Sequence, residues 1–368
     1  MLVSPVPGSA RGNLLADSAN ILGVPFWTWQ ILLTILGLVA LIVLARSIWH
    51  PTWPSLRWWA LGNVAVNAGI AVTGATVRVT QSGLGCPEWP RCTPDSFVPS
   101  GGDYHPVLNE AIEFGNRALT FLVLAVGLIV LLAVWRLHRH HPRPDLLLLA
   151  VITPLGVLGQ GVVGGISVLT ELHPAAVGSH FLLSMVILVI AVALYVRCQE
   201  PRGELRLRVS PLARRLAKVL AVLGFAVLAA GVITTGTGPH GGDLEAPRWP
   251  LDLQVVTQVH SVLAWALLTV TVVLLGVFRY TRAGHQQRVL AGLVLAAILA
   301  QAVIGYTQYA LALPEWLVVL HVLGSVLTWT AILRLYFSTT KRVAIIIPTR
   351  GQDSTQDAAE AIGPAPGQ

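Results

Sequence analysis

The sequence predicts an all-α polytopic membrane protein, with two parallel four-helix-bundle repeats that form an eight-helix core and one extra N-terminal transmembrane helix. Three observations predict this fold. The 368 residues are 54% hydrophobic and only 11% charged, with a mean hydropathy of +0.70, which is well outside the composition of soluble proteins. Long apolar runs recur along nearly the whole chain, and the last eight form two similar sets of four.

Nine apolar runs are long enough to cross roughly 30 Å of hydrocarbon, which takes about 20 helical residues. Each run therefore predicts a transmembrane helix, and we number these helices α1 to α9 in chain order. Their predicted limits are 26–46, 58–79, 110–135, 145–168, 174–196, 213–235, 254–278, 288–310 and 315–337.

The helix α1 lies outside the duplicated part of the chain. The segment before it, 1–25, is rich in Gly, Pro, Ser and Ala and poor in basic residues, unlike the start of a secretory signal. The helix is also too long for the apolar region of a cleaved signal. We therefore expect an external N-terminal segment over 1–25, followed by a retained transmembrane helix and its linker over 26–57.

Helices α2–α5 and α6–α9 read as two copies of one four-helix unit, over 58–196 and 213–338, joined by a basic linker at 197–212. The motif LGQGVVGGIS in α4 matches LAQAVIGYTQ in α8, and VGSHFLLS in α5 matches VVLHVLGS in α9. In the same way, EFGNRALTFLVL in α3 aligns with TQVHSVLAWALL in α7. Because each copy has an even number of helices, the repeat is parallel, about an axis near the membrane normal.

The net charge of +7 and the pI near 9.8 indicate membrane topology, with no need for a nucleic-acid partner. Most Lys and Arg residues lie at the loops α1–α2, α3–α4, α5–α6 and α7–α8 and near the C-terminus. By the positive-inside rule this side is cytoplasmic, so the C-terminus is cytoplasmic and the N-terminus external. The segment 339–368 ends in a stretch that cannot bury a core, so we expect a disordered cytoplasmic tail.

Two of the three cysteines, Cys86 and Cys92, share the predicted external loop between α2 and α3. The oxidising side of a membrane permits a disulfide there. Free thiols or a metal site are the alternatives, although no third or fourth ligand lies at zinc spacing. Cys198, at the cytoplasmic end of α5, is expected to be an inert thiol.

Two histidines suggest a haem site in the second copy. His260 in α7 and His321 in α9 both lie about two turns inside the external ends of their helices, and so at similar depth. Two neutral imidazoles facing each other across a bundle can ligate haem iron and give a six-coordinate, electron-transferring haem. The alternative is that each is a buried histidine bonded to a neighbour, although uncompensated polar groups are costly in a membrane.

The first copy carries Asn116 and His180 at the corresponding positions. An amide is a poor iron ligand, so a haem in this copy could be held by His180 alone, with its opposite face open. The alternative is that this copy holds no haem. Glu113 lies one turn before Asn116, and Arg117 follows directly, so the carboxylate is explained either by an ion pair that pins the helix end or by proton chemistry.

The segment 73–92, TGATVRVTQSGLGCPEWPRC, followed by IEFGNR at 112–117, resembles the haem A synthase family. The stretch SGLGCPEWPRC is long and rare in composition, and it directly follows the first helix of the predicted core. Together with the three histidines, the resemblance covers about 58–340 and leaves α1 outside. The chain has the form of the family with Asn116 in place of the first histidine.

This resemblance implies an enzyme that oxidises a methyl group of haem O to the formyl group of haem A by successive hydroxylations, in a bacterial plasma membrane. His260 and His321 would bind a resident haem b that passes electrons. His180, with Asn116 and Arg117, would form the substrate haem site.

The remaining implications concern one carboxylate, the cysteines and the partners. Glu113 would be catalytic and handle protons near the reacting methyl group. Cys86 and Cys92 would form a disulfide. The partners would be haem O and the lipid bilayer. Haem O synthase and the assembly factors of cytochrome oxidase would be further candidate partners.

Two other classes of function remain open from the residues alone. A non-catalytic membrane cytochrome b or haem carrier would also use histidines at bis-histidine spacing, although Glu113 beside an incomplete ligand pair argues against a pure electron carrier. A secondary transporter would also allow a parallel duplication. The absence of helices broken by Gly or Pro at matching mid-membrane points argues against it.

Overall fold

The computed structural model describes residues 20–21, 24–102 and 105–344. In this part of the chain, nine α-helices are each long and apolar enough to cross a membrane, as predicted. The predicted N-terminal segment lies mostly outside the described residues, as does the predicted tail from residue 345. The helices are α1 Phe26–Trp49, α2 Trp53–Val79, α3 Val107–His140, α4 Pro144–Leu169, α5 Pro174–Arg197, α6 Pro211–Thr237, α7 Leu253–Tyr280, α8 His285–Ala310 and α9 Glu315–Ser338.

Local sequence signals fix where several helices begin, and therefore the depth of the residues inside them. Proline lies in the first turn of α2, α4, α5 and α6, where its missing N–H removes no helical hydrogen bond. The carboxylate of Asp252 accepts hydrogen bonds from the N–H groups of Gln254 and Val255 at 2.8 and 3.1 Å and so caps α7. This cap places His260 about two turns inside the helix.

The duplication is visible in the helix lengths. Helices α2 and α6 have 27 residues each, α4 and α8 have 26 each, and α5 and α9 have 24 each, while α3 and α7 differ with 34 and 28. The loops that follow α4 and α8 also share an uncommon backbone. Glu171 and Leu172, like Ala312 and Leu313, have φ between 51° and 63°, a left-handed conformation that side chains disfavour. The structure thus confirms two copies of one unit.

The two copies meet around α5 and α9, which pack against each other. Helix α5 of the first copy also packs against α6 of the second, and α9 of the second copy packs against α2 of the first. This reciprocal pattern is that of a pseudo-two-fold axis between α5 and α9. At this interface the indole N–H of Trp329 donates to the backbone oxygen of Met185 at 3.1 Å, and both side chains are buried.

A two-stranded sheet joins the linker between the two copies to the segment that follows α9. Strand β3, Gly203–Leu207, in the predicted linker, pairs antiparallel with strand β4, Thr340–Ala344. The predicted disordered tail at 339–368 therefore begins with a strand, because β3 supplies hydrogen-bond partners for its backbone. A second two-stranded sheet pairs β1, Asn20–Ile21, with β2, Val24–Pro25, before α1.

Helix α1 is attached to the core at one end. Its side chains from residue 30 to residue 46 are exposed. Near its last turn, Arg136 of α3 donates to the backbone oxygens of Ile48 and Trp49, and the indole of Trp59 donates to Ser47 at 3.1 Å. The structure thus agrees with the prediction that α1 is an addition outside both copies.

Candidate functional site

The second copy brings its two histidines face to edge inside the bundle. The ring centroids of His260 and His321 are 6.4 Å apart, and the ring planes cross at 70°. Each ring rests on a glycine of the preceding helix. A Cβ atom built on Gly231 would lie 3.2 Å from Cε1 of His260, and one built on Gly305 would lie 3.2 Å from Cε1 of His321. Both rings therefore pack more closely on these glycines than a side chain there would ordinarily allow.

Within the described residues, one ring nitrogen of this pair is hydrogen-bonded. Nδ1 of His260 lies 3.1 Å from the backbone oxygen of Val227. Because a carbonyl only accepts, Nδ1 carries the proton and the lone pair of Nε2 is available to a metal. Nδ1 of His321 is buried without a partner, and within the described residues Nε2 of neither ring makes a hydrogen bond.

This pair fits a haem iron. Two imidazoles that each place a nitrogen about 2 Å from one iron have their ring centroids roughly 6 Å apart, which matches the 6.4 Å observed. Two imidazole nitrogens are also the donor set that a six-coordinate haem would require.

In the first copy, His180 occupies the position of His321. A Cβ atom built on Gly164 of α4 would lie 3.3 Å from its Cε1 atom, and its Nδ1 atom is buried without a partner. The same ring-on-glycine packing therefore occurs in both copies. The first copy has an asparagine where the second has His260.

That asparagine is held by a side chain that the sequence prediction did not single out. The hydroxyl of Thr73 in α2 donates to Oδ1 of Asn116 at 2.7 Å. The first copy therefore has a hydrogen bond between α2 and α3 at the position where the second copy has an imidazole packed on a glycine.

Two glutamines position the histidines in matching ways. Nε2 of Gln160 donates to the backbone oxygen of His180 at 3.0 Å, and Nε2 of Gln301 donates to that of His321 at 2.8 Å. In both copies the other amide atom, Oε1, is buried without a partner. The duplicated Gln in the α4 and α8 motifs was the sequence signal for this role, but spacing alone did not reveal its target.

Glu113 is buried, and both of its carboxylate oxygens accept hydrogen bonds. One carboxylate oxygen pairs with Arg117 at 2.6 Å, and the other accepts from the backbone N–H of Cys86 at 2.6 Å. The guanidinium of Arg117 also donates to the backbone oxygens of Cys86, Glu88 and Arg91, at 2.6 to 3.0 Å. The two charged residues thus anchor the loop between α2 and α3 to the first turns of α3, as one of the two predicted explanations requires.

The cysteines of that loop form the predicted disulfide. Cys86 and Cys92 are bonded and buried. A second buried carboxylate, Glu110, accepts hydrogen bonds from Ser100, Gly101 and Gly102 and holds the far end of the same loop. Sequence reasoning missed this residue, because its partners are loop groups brought close only by folding. We call the side of the bundle that carries this loop the disulfide side.

On the opposite side, Cys198 is a free, buried thiol whose Sγ atom lies 3.3 Å from the backbone oxygen of Tyr195. Burial raises the pKa of this thiol to about 12. Because the thiolate is the reactive form, the structure supports the prediction of an inert cysteine.

Fold and site together define a polytopic α-helical membrane protein with a duplicated four-helix unit and unequal polar sites in its two copies. The sequence matches the model of the cytochrome oxidase assembly protein family (COX15-CtaA) over residues 57–105 and 107–333. The chain therefore belongs to this family, which agrees with the resemblance found in the sequence.

Individual relatives point in the same direction. A heme A synthase of Methylobacterium nodulans is 28% identical over 316 residues, which cover 70% of this chain and 84% of that protein. A heme A synthase of Exiguobacterium sibiricum is 26% identical over 212 residues, covering 55% and 68%. A protoheme IX farnesyltransferase of Thermus thermophilus is 30% identical over 310 residues, covering 80% of this chain and 50% of that protein. The chain thus spans half the length of the Thermus relative.

Proposed function

We propose that the chain is a haem A synthase, an oxidoreductase that converts the methyl group of bound haem O to the formyl group of haem A by successive hydroxylations. The observation that carries the proposal is the inequality of the two copies. One has two facing imidazoles, and the other has a single imidazole with a hydrogen-bonded amide in place of its partner. A fixed redox centre and an exchangeable substrate need different sites of this kind.

In the second copy, His260 and His321 would hold a haem b. Such a haem would supply one-electron transfer, and with both histidines as ligands it would not need to bind substrate. The protein's own part is to fix the rings. Val227 orients His260 through Nδ1, Gln301 holds the backbone at His321, and the glycines under both rings bring the helices close. Such outer contacts tune ligand basicity and orientation.

In the first copy, His180 would ligate the substrate haem O from α5. Gln160 holds the backbone at His180 and also donates to the hydroxyl of Ser184 at 2.9 Å. Asn116 offers an amide, which is a poor iron ligand, so one face of the substrate stays accessible. A haem held by one histidine can leave after its conversion, as a product must.

Glu113 lies one helical turn from Asn116, beside this proposed substrate site, and Arg117 lies one turn from Glu113. With oxygen taken from water, oxidation of a methyl group releases protons and electrons. The electrons would pass through haem b to an external acceptor, and a buried carboxylate can accept protons. In the state described here, both oxygens of Glu113 accept hydrogen bonds from Arg117 and Cys86. The proposed proton role therefore requires one of these bonds to open during turnover, whereas the anchoring role is direct.

The proposal is tested by expressing the chain in membranes that supply haem O and separating the extracted haems. We expect haem A from the native chain and none from His180→Ala, while both chains retain a reducible haem b. His173→Ala, a helix-cap histidine on the same helix, is the matched control and should still yield haem A. Haem b with no haem A from the native chain would instead favour the non-catalytic cytochrome or haem carrier.

We also propose, as the sequence predicts, that the protein lies in a bacterial plasma membrane with the disulfide side external. Haem O synthase and the assembly factors of cytochrome oxidase remain predicted partners.

A further inference from the structure

Helices α2 and α6 are equivalent and have 27 residues each. Thr73 and Gly231 lie at the same position counted from the starts of these helices. Their neighbours across the bundle are also equivalent, because Asn116 in α3 aligns with His260 in α7. The two copies therefore differ at two facing positions, with threonine opposite asparagine in one and glycine opposite histidine in the other.

The imidazole in the second copy needs the glycine. A Cβ atom on Gly231 would lie 3.2 Å from Cε1 of His260, which is closer than ordinary van der Waals contact between carbon atoms, so the ring would have to shift by a few tenths of an ångström. The ring is drawn to this spot by the bond from Nδ1 to Val227, one turn before Gly231 in the same helix. A β-branched residue at 231 would occupy the space of the ring.

In the first copy that space is occupied. Thr73 carries a methyl group and a hydroxyl where Gly231 has only hydrogen, and the hydroxyl donates to Asn116 at 2.7 Å. A histidine at position 116 would meet this side chain and would lose the bare glycine surface on which His260 rests. The asparagine is short enough to fit and is fixed by the hydrogen bond.

We propose that Thr73 is a specificity-determining residue that, together with Asn116, keeps the first copy a one-histidine site. This inference rests on the proposed function, since it assumes a haem between His260 and His321. Thr73 acts through the residue at 116 and through the space it fills, so it is a positioning residue. Its effect is to prevent a second axial imidazole, and so to keep the haem of this copy exchangeable.

The test is to count bis-histidine haems in the purified full-length chain, reconstituted with haem b and measured by low-spin absorption and electron paramagnetic resonance. We expect one such haem in the native chain, one in Asn116→His, and two in the double variant Thr73→Gly with Asn116→His. Thr73→Val with Asn116→His keeps the volume and removes the hydroxyl, and it should still give one. Thr73→Gly alone is the control for the cavity and should also give one.

A reciprocal variant keeps the proposal testable if the double variant unfolds. Gly231→Thr should abolish the low-spin signal of the second copy while the disulfide stays formed. Two low-spin haems in Asn116→His alone would overturn the proposal, as would a retained signal in Gly231→Thr, or one haem in a double variant that melts like the native chain. A native chain with no low-spin haem would contradict the proposed function itself.

Discussion

The carboxylate of Glu113 accepts a hydrogen bond from the backbone N–H of Cys86 at 2.6 Å. One half of the disulfide is thereby attached to the helix that carries the proposed substrate site. Arg117 completes the attachment by donating to the carbonyl oxygen of the same cysteine at 2.6 Å. The geometry of the loop thus depends on two charged residues one turn apart in α3.

The first prediction concerns this attachment. Glu113→Ala removes the acceptor for the Cys86 N–H and leaves Arg117 without its carboxylate, which should destabilise the chain by on the order of 1–3 kcal/mol. The disulfide should also be reduced several-fold faster by a mild thiol. Thermal unfolding in detergent and timed alkylation of Cys86 and Cys92 measure both effects. Glu88→Ala, an exposed glutamate of the same loop, should change neither, and equal effects in the two variants would contradict the anchoring role.

The second prediction separates the histidines by spectrum. His260→Ala and His321→Ala should each abolish the low-spin signal of the proposed haem b, because one of its two imidazole ligands would be lost. His180→Ala should leave that signal in place. Absorption and paramagnetic resonance spectra of the purified chains measure this. A low-spin signal that survives His260→Ala or disappears in His180→Ala would contradict the assignment of the redox haem to the second copy.

The third prediction concerns the duplicated glutamines. Gln301→Leu removes the donor to the His321 carbonyl and should weaken retention of haem b by about 10-fold, the lower range for loss of an outer-shell contact. Gln160→Leu should leave haem b retention unchanged, and it is the matched control because it lies at the equivalent position of the other copy. Haem transfer to an apoprotein acceptor measures retention. Identical transfer rates in the native chain and Gln301→Leu would exclude a positioning role.

The fourth prediction concerns pH. Burial raises the pKa of the Cys198 thiol to about 12, whereas an unfolded thiol titrates near about 8.5. Between these values the folded chain keeps the proton and the unfolded chain releases it, so this residue destabilises the fold as pH rises above the unfolded value. Alkylation by iodoacetamide at pH 8 should be slow in the folded chain and fast in denaturant. Equal rates would show that the thiol is accessible.

Much of the fold follows from sequence because hydrocarbon imposes a length on every span. The limits of α3 were the least accurate, at 110–135 against Val107–His140 in the structure. The charged last turns of α3 lie beyond the apolar run but are still helical. Arg136, in these turns, donates a hydrogen bond to the end of α1. Strand β4 was missed because its pairing partner lies more than a hundred residues earlier in the chain.

The candidate histidines could be singled out from sequence because polar residues are rare inside spans and because the duplication repeats them. The contacts of the residues around these histidines could not be predicted from sequence. The role of Thr73 depends on which residue of α3 faces it, and the glycines under the rings look like ordinary small residues of membrane helices. The double engagement of Glu113 depends on a loop whose path is fixed by a disulfide and by Arg117. Such contacts arise only in the folded chain.

The central claim is that the two copies handle haem differently, one as a fixed redox centre and the other as a site of conversion. It is tested most directly by supplying isotopically labelled haem O and an artificial electron acceptor to the purified chain that already holds haem b, then extracting and separating all haems. The account predicts labelled haem A and an unlabelled haem b pool of unchanged size. Label recovered only as haem O, with haem b intact and reducible, would contradict it.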